Sequence, residues 1–239
     1  MNRMDKKQLI QSFGRRRSRG LSKSQKDSLA NLHVKFGINI NIAHSDLVDP
    51  HKFFDQKFDD IIVEIGFGMG EHLIENAKQN PNSGMIGCEP FENGVANVFR
   101  TLDEKNIKNV RVYKNDARIL LASFEASSVS RFYVLFPDPW NKKRHSKRRL
   151  LSVDFMNLMV KKLKIGGEVI VATDCEKYMR EILENVSKLN GVKAADSNVE
   201  RASTLERPAW FISTKYEQKA IKNGKQPYYT KFDKIAEVC

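Results

Sequence analysis

Five short apolar runs alternate with helix-like stretches through the middle of the chain, and each run ends at or near an acidic residue. The runs cover residues 61–65, 84–88, 110–113, 129–136 and 168–173. The first is rich in β-branched residues. The fourth is almost continuously apolar, as expected for a strand whose two faces are both covered by helices. Strands that alternate with helices predict a right-handed, doubly wound α/β fold.

The stretches between the runs carry helix signals. We expect helices from the glycine-rich loop through Lys78 and over residues 91–105 and 176–189, and a further aromatic strand around Tyr228 and Tyr229. The best-signalled helix follows Ser152, a residue type that favours helix N-termini. We expect the two glycines Gly166 and Gly167 to end it.

Acidic residues lie at or near the carboxyl ends of the five predicted strands. They are Glu64, Glu89, Asp116, Asp138 and Asp174. Ligands of doubly wound sheets bind at the carboxyl ends of the strands, so we expect these carboxylates to line one crevice. A crevice with this charge suits a ligand that carries positive charge.

A glycine-rich loop follows the first predicted strand, with Gly66, Gly68 and Gly70 in alternate positions. Its third glycine comes one position before that of the dinucleotide-binding fingerprint, where Glu71 stands instead. A carboxylate there would repel a pyrophosphate at the helix N-terminus, which argues against a nicotinamide or flavin cofactor. The loop alone is also compatible with an ordinary tight turn. Glu89 would suit the two hydroxyls of a ribose.

Positive charge is concentrated in two segments of a chain whose net charge is +12. Residues 1–26 hold nine Lys or Arg against one Asp, and residues 141–149 hold six Lys or Arg. The second segment follows Asp138, which lies between Pro137 and Pro139 and is therefore expected in a stiff, extended turn. Two basic segments on a near-neutral body favour a nucleic-acid partner over a membrane surface. Solvated basic segments without a partner remain an alternative.

The 239 residues suffice for one α/β domain. Three widely spaced cysteines predict a reducing compartment, and the five histidines show no metal-site spacing. No apolar run of about 18 residues and no secretory signal are evident, so we expect a cytoplasmic protein.

Several motifs together resemble a known family. Residues 63–70 resemble motif I of the S-adenosylmethionine-dependent methyltransferases. With residues 136–140 and 142–145, the chain resembles the bacterial tRNA (guanine-N7-)-methyltransferases. Arg207-Pro208 and residues 214–217 match that family's C-terminal motif, and the basic start resembles its arm, whereas residues 220–224 depart from its pattern.

The resemblance implies a Rossmann-like methyltransferase domain over residues 46–239, with a mostly parallel seven-stranded sheet and an antiparallel C-terminal strand. Residues 1–45 would form the basic arm and connector. It implies methyl transfer from S-adenosylmethionine to N7 of the variable-loop guanine at position 46 of tRNA, by a monomer or homodimer without an obligate protein partner, a metal or a membrane.

The resemblance also assigns residues to roles. Asp138 would be catalytic and would also contact the methyl donor, together with Glu64, Gly66, Gly68, Gly70, Glu89 and Asp116. The tRNA would contact Lys142, Asp174, Thr214, Lys215, Tyr216 and Glu217. The alternatives are a methyltransferase acting on another RNA or on a protein, and a non-catalytic RNA-binding domain.

Overall fold

A seven-stranded sheet organises the computed structural model, which describes residue 16 and residues 20–40, 47–195 and 212–238. The strands are β1 (Asp60–Ile65), β2 (Ser83–Cys88), β3 (Val110–Tyr113), β4 (Val129–Leu135), β5 (Leu163–Thr173), β6 (Val192–Ala194) and β7 (Tyr228–Lys234). Their order is β3-β2-β1-β4-β5-β7-β6. The first five are parallel, and β7 is antiparallel to β5 and β6. The predicted fold class is therefore confirmed.

In the described residues two helices precede β1, and from β1 onward helices alternate with the strands. The helices are α1 (Lys23–Asn31), α2 (His33–Phe36), α3 (Glu71–Gln79), α4 (Glu92–Glu104), α5 (Ala117–Ala122), α6 (Val153–Lys162), α7 (Glu176–Val186) and α8 (Lys215–Lys222). Short 3-10 helices cover Pro50–Phe53 and Lys143–Arg148. None of these helices is both long and apolar enough to cross a bilayer.

Two apolar cores lie on the two faces of the sheet. Ile61, Val63 and Ile65 point into one core, and Ile62 belongs to the other. Helices α3 and α4 supply the second core, while α5, α6 and α7 cover the first. Because both faces are covered, the central strands are apolar throughout instead of alternating.

The expected end of the helix after Ser152 was wrong. Helix α6 ends at Lys162, and β5 begins at Leu163, so Gly166 and Gly167 lie inside the strand. Gly166 adopts a φ of 78°, and a Cβ on Gly167 would lie 2.7 Å from the carbonyl oxygen of Ser130. The pairing of β4 with β5 shifts register between Val129 and Arg131. These glycines therefore serve an irregularity in the sheet and not a helix terminus.

Part of the N-terminal segment has regular structure. Residues 1–15 and 17–19 of the predicted arm lie outside the described residues. Helix α1 begins with a capping box formed by Ser22 and Gln25. Beyond it, Phe36 and Ile38 are buried, and the Ile38 N–H donates to the Val112 carbonyl at 2.8 Å. Residues 23–38 of the predicted arm and connector therefore contain helices α1 and α2 and a hydrogen bond to β3.

Candidate active site

A cavity of about 400 Å³ opens at the carboxyl ends of the parallel strands. The glycine loop after β1, the residues after β2 and β3, and the Pro137–Trp140 loop after β4 surround it. The predicted site residues that line it are Gly66, Gly68, Glu89, Asp116, Asp138 and Tyr216. Sequence motifs separated by up to about 150 positions therefore meet in one place.

The glycine loop turns the chain from β1 into α3. Gly66, Gly68 and Gly70 have φ values of 77°, 57° and 84°, a region that residues with a Cβ rarely adopt. The Gly66 N–H donates to the Cys88 carbonyl at 2.8 Å, which ties the loop to the end of β2. Gly70 does not line the cavity but precedes the first residue of α3.

Glu89 is the best-anchored carboxylate of the cavity. Its two oxygens accept from the backbone N–H groups of Gly68 at 2.8 Å and Phe91 at 2.9 Å, and the residue is 8% exposed. Burial raises the pKa of Glu89, the two hydrogen bonds oppose that shift, and the charges of Asp138 and Glu64 add to it. The negative side chains are therefore close enough to repel one another.

Asp116 and Glu64 already have partners. The Asp116 carboxylate accepts from the Arg118 side chain at 2.9 and 2.6 Å, and it also caps α5. Glu64 is buried and bonds through Oε2 to His72 Nδ1 at 2.7 Å. Since Glu64 is absent from the cavity lining, its predicted contact with the donor stays a prediction.

The loop after β4 presents its acid to solvent. The Asp138 side chain makes no hydrogen bond or ion pair with another described residue, and the residue is exposed at the cavity. Phe136 and Trp140, on either side, have φ values of 51° and 43°. Such backbone conformations cost free energy and persist only where surrounding contacts hold them. The Arg148 guanidinium lies over the Trp140 ring at 5.1 Å.

The predicted tRNA contacts do not all lie together. Tyr216 reaches the cavity, where a Cβ on Gly68 would lie 3.1 Å from its ring. Burial first, and then Glu89, Asp138 and Glu71, raise the pKa of Tyr216. The other predicted residues lie outside the cavity lining: Lys142, Asp174, Thr214, Lys215 and Glu217.

Most of these residues have structural partners. Thr214 caps α8, and the buried Glu217 accepts from the Tyr229 hydroxyl. Lys215 pairs with Glu71 at 2.7 Å, and Asp174 pairs with Lys225 at 2.6 Å. Lys142 is exposed at the start of the 3-10 helix Lys143–Arg148. Their contacts with tRNA stay predictions, and Arg207-Pro208 lies outside the described residues.

Two residues near the cavity carried no signal in the sequence. Arg118 lines the cavity through its pairing with Asp116. A Cβ on Gly94 in α4 would lie 1.9 Å from the Gly68 carbonyl oxygen, so the helix and the glycine loop are in backbone contact. A lone glycine within a helical pattern is the only hint of such an approach.

Cys88 lines the same cavity but is not a nucleophile. Burial raises the pKa of its thiol far above the ordinary value, and Asp116 and Glu89 reinforce the shift. Because the thiolate is the reactive form, this thiol is inert. Its burial agrees with a role in packing.

Comparisons with known proteins agree with this geometry. Residues 59–230 match a family model described as a putative methyltransferase. A tRNA (guanine-N(7)-)-methyltransferase of Jannaschia sp. (strain CCS1) is 37% identical over 231 residues, which are 93% of this chain and 93% of that protein. One of Roseobacter denitrificans is 42% identical over 170 residues, 71% of this chain and 72% of that protein.

The chain belongs to the tRNA (guanine-N(7)-)-methyltransferase family. Membership confirms the predicted family, the predicted enzyme class and S-adenosylmethionine as the cofactor. A 16S rRNA methyltransferase, KamB, has the same fold, with a TM-score of 0.55, 15% identity and coverage of 80% of this chain and 95% of the other.

The cavity of this tRNA (guanine-N(7)-)-methyltransferase family member fits S-adenosylmethionine in size and in chemistry. Its volume of about 400 Å³ lies within the usual range for cofactor sites. Each Glu89 oxygen accepts one backbone N–H and keeps a lone pair for a further donor, such as a ribose hydroxyl. Three carboxylates, Glu89, Asp116 and Asp138, suit a ligand with cationic groups.

Proposed function

We propose that the chain methylates N7 of the guanine at position 46 in the variable loop of tRNA, with S-adenosylmethionine as the methyl donor. The observation that carries the proposal is the position of Asp138, which lines the acidic cavity and lies just before the basic segment 141–149 in the chain. The names of the two bacterial relatives support tRNA and guanine N7 as the target.

The donor half of the site comprises the glycine loop, Glu89, Asp116 and Asp138. S-adenosylmethionine supplies an electrophilic methyl group on a sulfonium centre. In our proposal Glu89 accepts from the ribose hydroxyls, and the positive φ values of Gly66 and Gly68 let the backbone approach the ligand closely. Glu64 supports this half at the end of β1, and the hydrogen bond to His72 fixes its carboxylate.

Asp138 acts through its charge and its hydrogen-bonding capacity. Guanine N7 is an acceptor with a lone pair and no proton, so the nucleophile needs no general base. Methylation leaves the purine cationic, and a fixed carboxylate stabilises charge of that sign as it develops. Asp138 can also accept from the N–H groups of the guanine edge, which orients N7 for attack.

The tRNA half comprises the basic segment and Trp140. The side chains of Lys142, Lys143, Arg144 and Lys147 are exposed, in the stretch between the cavity-lining residues Trp140 and Arg148, where they can neutralise phosphates. Trp140 lines the cavity and offers a ring on which an exposed base can stack. In our proposal Asp174 and residues 214–217 complete this half by shaping the surface from β5 and α8.

A methylation assay tests the proposal. The protein is incubated with labelled S-adenosylmethionine and bulk tRNA, and the modified nucleotide is mapped. We expect label at N7 of the guanine at position 46, and none in tRNA in which adenine replaces that guanine. Label in ribosomal RNA or protein alone would contradict the assigned target, and binding of tRNA without any transfer would favour a non-catalytic RNA-binding domain.

A further inference from the structure

Arg149 ends the basic segment, but its side chain points into the molecule. It is 11% exposed, whereas Lys142, Lys143, Arg144 and Lys147 in the same segment are exposed. Its Nε donates to the Pro139 carbonyl at 2.8 Å, its NH1 donates to Glu181 of α7, and its guanidinium lies over the Tyr178 ring at 4.9 Å. Arg149 is therefore placed for contacts within the protein and not for a phosphate.

We propose that Arg149 is a positioning residue that fixes the Pro137–Trp140 loop to helix α7 and so holds Asp138 in its working position. This inference rests on the proposed function, because it takes Asp138 to be the group that acts on the guanine. The Pro139 carbonyl lies one peptide bond after Asp138. A hydrogen bond there limits how far the carboxylate moves.

The loop needs an external hold. Phe136 and Trp140 both have positive φ values, so the backbone on each side of Asp138 is in a conformation that costs free energy. Neither Pro137 nor Pro139 has a backbone N–H, so the loop forms few hydrogen bonds of its own. The Arg149 guanidinium supplies a charge-assisted hydrogen bond to this segment.

The anchor on the other side is rigid. The Tyr178 hydroxyl accepts from the Leu151 N–H at 3.1 Å, and the Asn185 side chain donates to the Leu151 carbonyl at 3.0 Å. Tyr178 is a residue of α7, and its side chain is fully buried in the core. Arg149 thus joins the loop after β4 to the helix after β5. Its guanidinium donates hydrogen bonds in its plane to Pro139 and Glu181, and its face lies against the Tyr178 ring.

This arrangement requires arginine. A planar guanidinium donates to two acceptors and stacks on an aromatic ring at once, whereas a lysine ammonium is a point charge that reproduces only the ion pair. Arg149→Lys therefore separates the charge of Arg149 from its geometry. Glu181→Ala removes the anchor while the arginine stays.

The kinetic test compares these variants with a matched control. We expect Arg149→Lys and Glu181→Ala to lower kcat for tRNA methylation by about 10- to 100-fold, as for a small displacement of a catalytic group, with little change in KM for tRNA. The control is Arg180→Ala, which breaks an exposed ion pair to Glu176 on the same helix, 2.7 Å long, that does not contact the loop. We expect this control to keep its kcat.

A second readout does not depend on activity. The chain has two tryptophans, so Trp210→Phe leaves Trp140, the residue after Pro139, as the single indole reporter. In that background we expect Arg149→Lys to increase quenching of Trp140 fluorescence by acrylamide, well below the melting temperature, and we expect Arg180→Ala not to.

The outcomes separate the two proposals. Unchanged kcat and quenching in both variants would overturn the positioning role. A rise in KM for tRNA with unchanged kcat would overturn it too, because that result assigns Arg149 to the phosphates. Failure of the wild-type protein to methylate tRNA would overturn the proposed function instead, and the quenching measurement would still decide whether Arg149 holds the loop.

Discussion

At the scale of single residues, Asp138 differs from the other acids of the cavity by its freedom to meet a substrate. Glu89 and Asp116 each bond to a neighbouring group, whereas Asp138 makes no hydrogen bond or ion pair with another described residue. A carboxylate without a structural partner within the described part of the chain suits a role in the reaction. A carboxylate fixed by backbone N–H groups suits binding.

The first prediction concerns Asp138→Asn, which keeps the size of the side chain and removes its charge. We expect kcat to fall by about 100- to 1,000-fold, as when a group that stabilises the transition state is lost. The donor Kd should rise far less than kcat falls, because Glu89 and the glycine loop remain. Single-turnover kinetics and calorimetry measure the two quantities separately. A large loss of donor affinity at unchanged kcat would assign Asp138 to binding alone.

Glu89 gives a prediction with a definite pH dependence. Its pKa is raised by burial, so the carboxylate gains a proton at a higher pH than an exposed Glu does. A protonated Glu89 accepts more weakly, so we expect donor affinity to fall as the pH falls through this raised pKa. Glu89→Gln should weaken donor binding roughly 10- to 100-fold at neutral pH and should flatten the pH profile.

The folding stability of the donor-free protein should change with pH in the opposite direction to its donor affinity. A carboxyl whose pKa is higher in the folded than in the unfolded state contributes stability that is present at low pH and is lost as the pH rises through the folded pKa. We therefore expect wild type to lose stability relative to Glu89→Gln as the pH rises from acid to neutral. Denaturant titrations of the donor-free proteins measure this difference, and a difference that stays constant with pH would contradict the shift at Glu89.

At the scale of elements, the contact between α4 and the glycine loop predicts an effect that helix propensity alone would not. Replacement of a helical glycine by alanine usually stabilises a helix. In Gly94→Ala the new Cβ would lie 1.9 Å from the Gly68 carbonyl, so the loop must move, and the Gly68 N–H that bonds Glu89 moves with it. Overpacking costs about 1–3 kcal/mol. Because about 1.4 kcal/mol corresponds to a tenfold change in affinity, we expect the donor Kd to rise about tenfold or more.

Gly166→Ala is the matched control for this prediction. Gly166 has a φ of 78°, and a Cβ there meets no atom within 4 Å. The substitution should cost about 1–2 kcal/mol of stability through backbone strain alone. It should leave donor affinity unchanged. Gly166 lies near the N-terminal end of β5, whereas the cavity lies at the carboxyl ends of the parallel strands. Equal losses of donor affinity in the two variants would mean that the contact between Gly94 and Gly68 is unimportant.

The strong periodic elements could be predicted from the sequence, and those that depend on long-range contacts could not. The first four strands are apolar enough to be recognised, and β1 and β3 are found within a residue of their predicted bounds. Gly166 and Gly167 suggested a helix end because the close approach of Gly167 to Ser130 joins positions that are far apart in the chain. Helix α8 was missed because its polar sequence depends on packing by Glu217 and Ala220 for its stability.

The site, like the fold, could be predicted from the sequence only in part. Strand-end position identified Glu89, Asp116 and Asp138 because parallel strands bring their carboxyl ends together. The same argument placed Glu64 and Asp174 in the cavity, but neither appears in its lining. Glu64 bonds instead to His72 of α3, and Asp174 pairs with Lys225, contacts that strand position alone does not predict. The contact of Tyr216 with the glycine loop joins the two ends of the domain and has no local signal in the sequence.

At the scale of the whole molecule, charge is separated between a negative cavity and a positive segment. The carboxylates lie at the carboxyl ends of the strands, and the exposed cations of segment 142–147 lie in the chain between Trp140 and Arg148, which both line the cavity. The negative groups favour a cationic donor, and the positive groups favour a polyanion. The division into a basic arm over residues 1–45 and a domain over 46–239 stays a prediction, although Phe36 and Ile38 already belong to the two cores.

The last prediction uses this separation of charge. Contacts with phosphates release counterions, so the logarithm of the tRNA association constant falls with the logarithm of salt concentration, with a slope set by the number of contacts. Lys142→Glu with Lys143→Glu should weaken tRNA binding and make the slope shallower by about two units at most. Lys105→Glu with Lys108→Glu changes the net charge equally. These exposed residues precede the N-terminal end of β3, whereas the cavity lies at the carboxyl ends of the strands. If net charge alone attracted the tRNA, both pairs would weaken binding alike. Binding that weakens only in the first pair, measured across a salt titration, would place the phosphates beside Asp138.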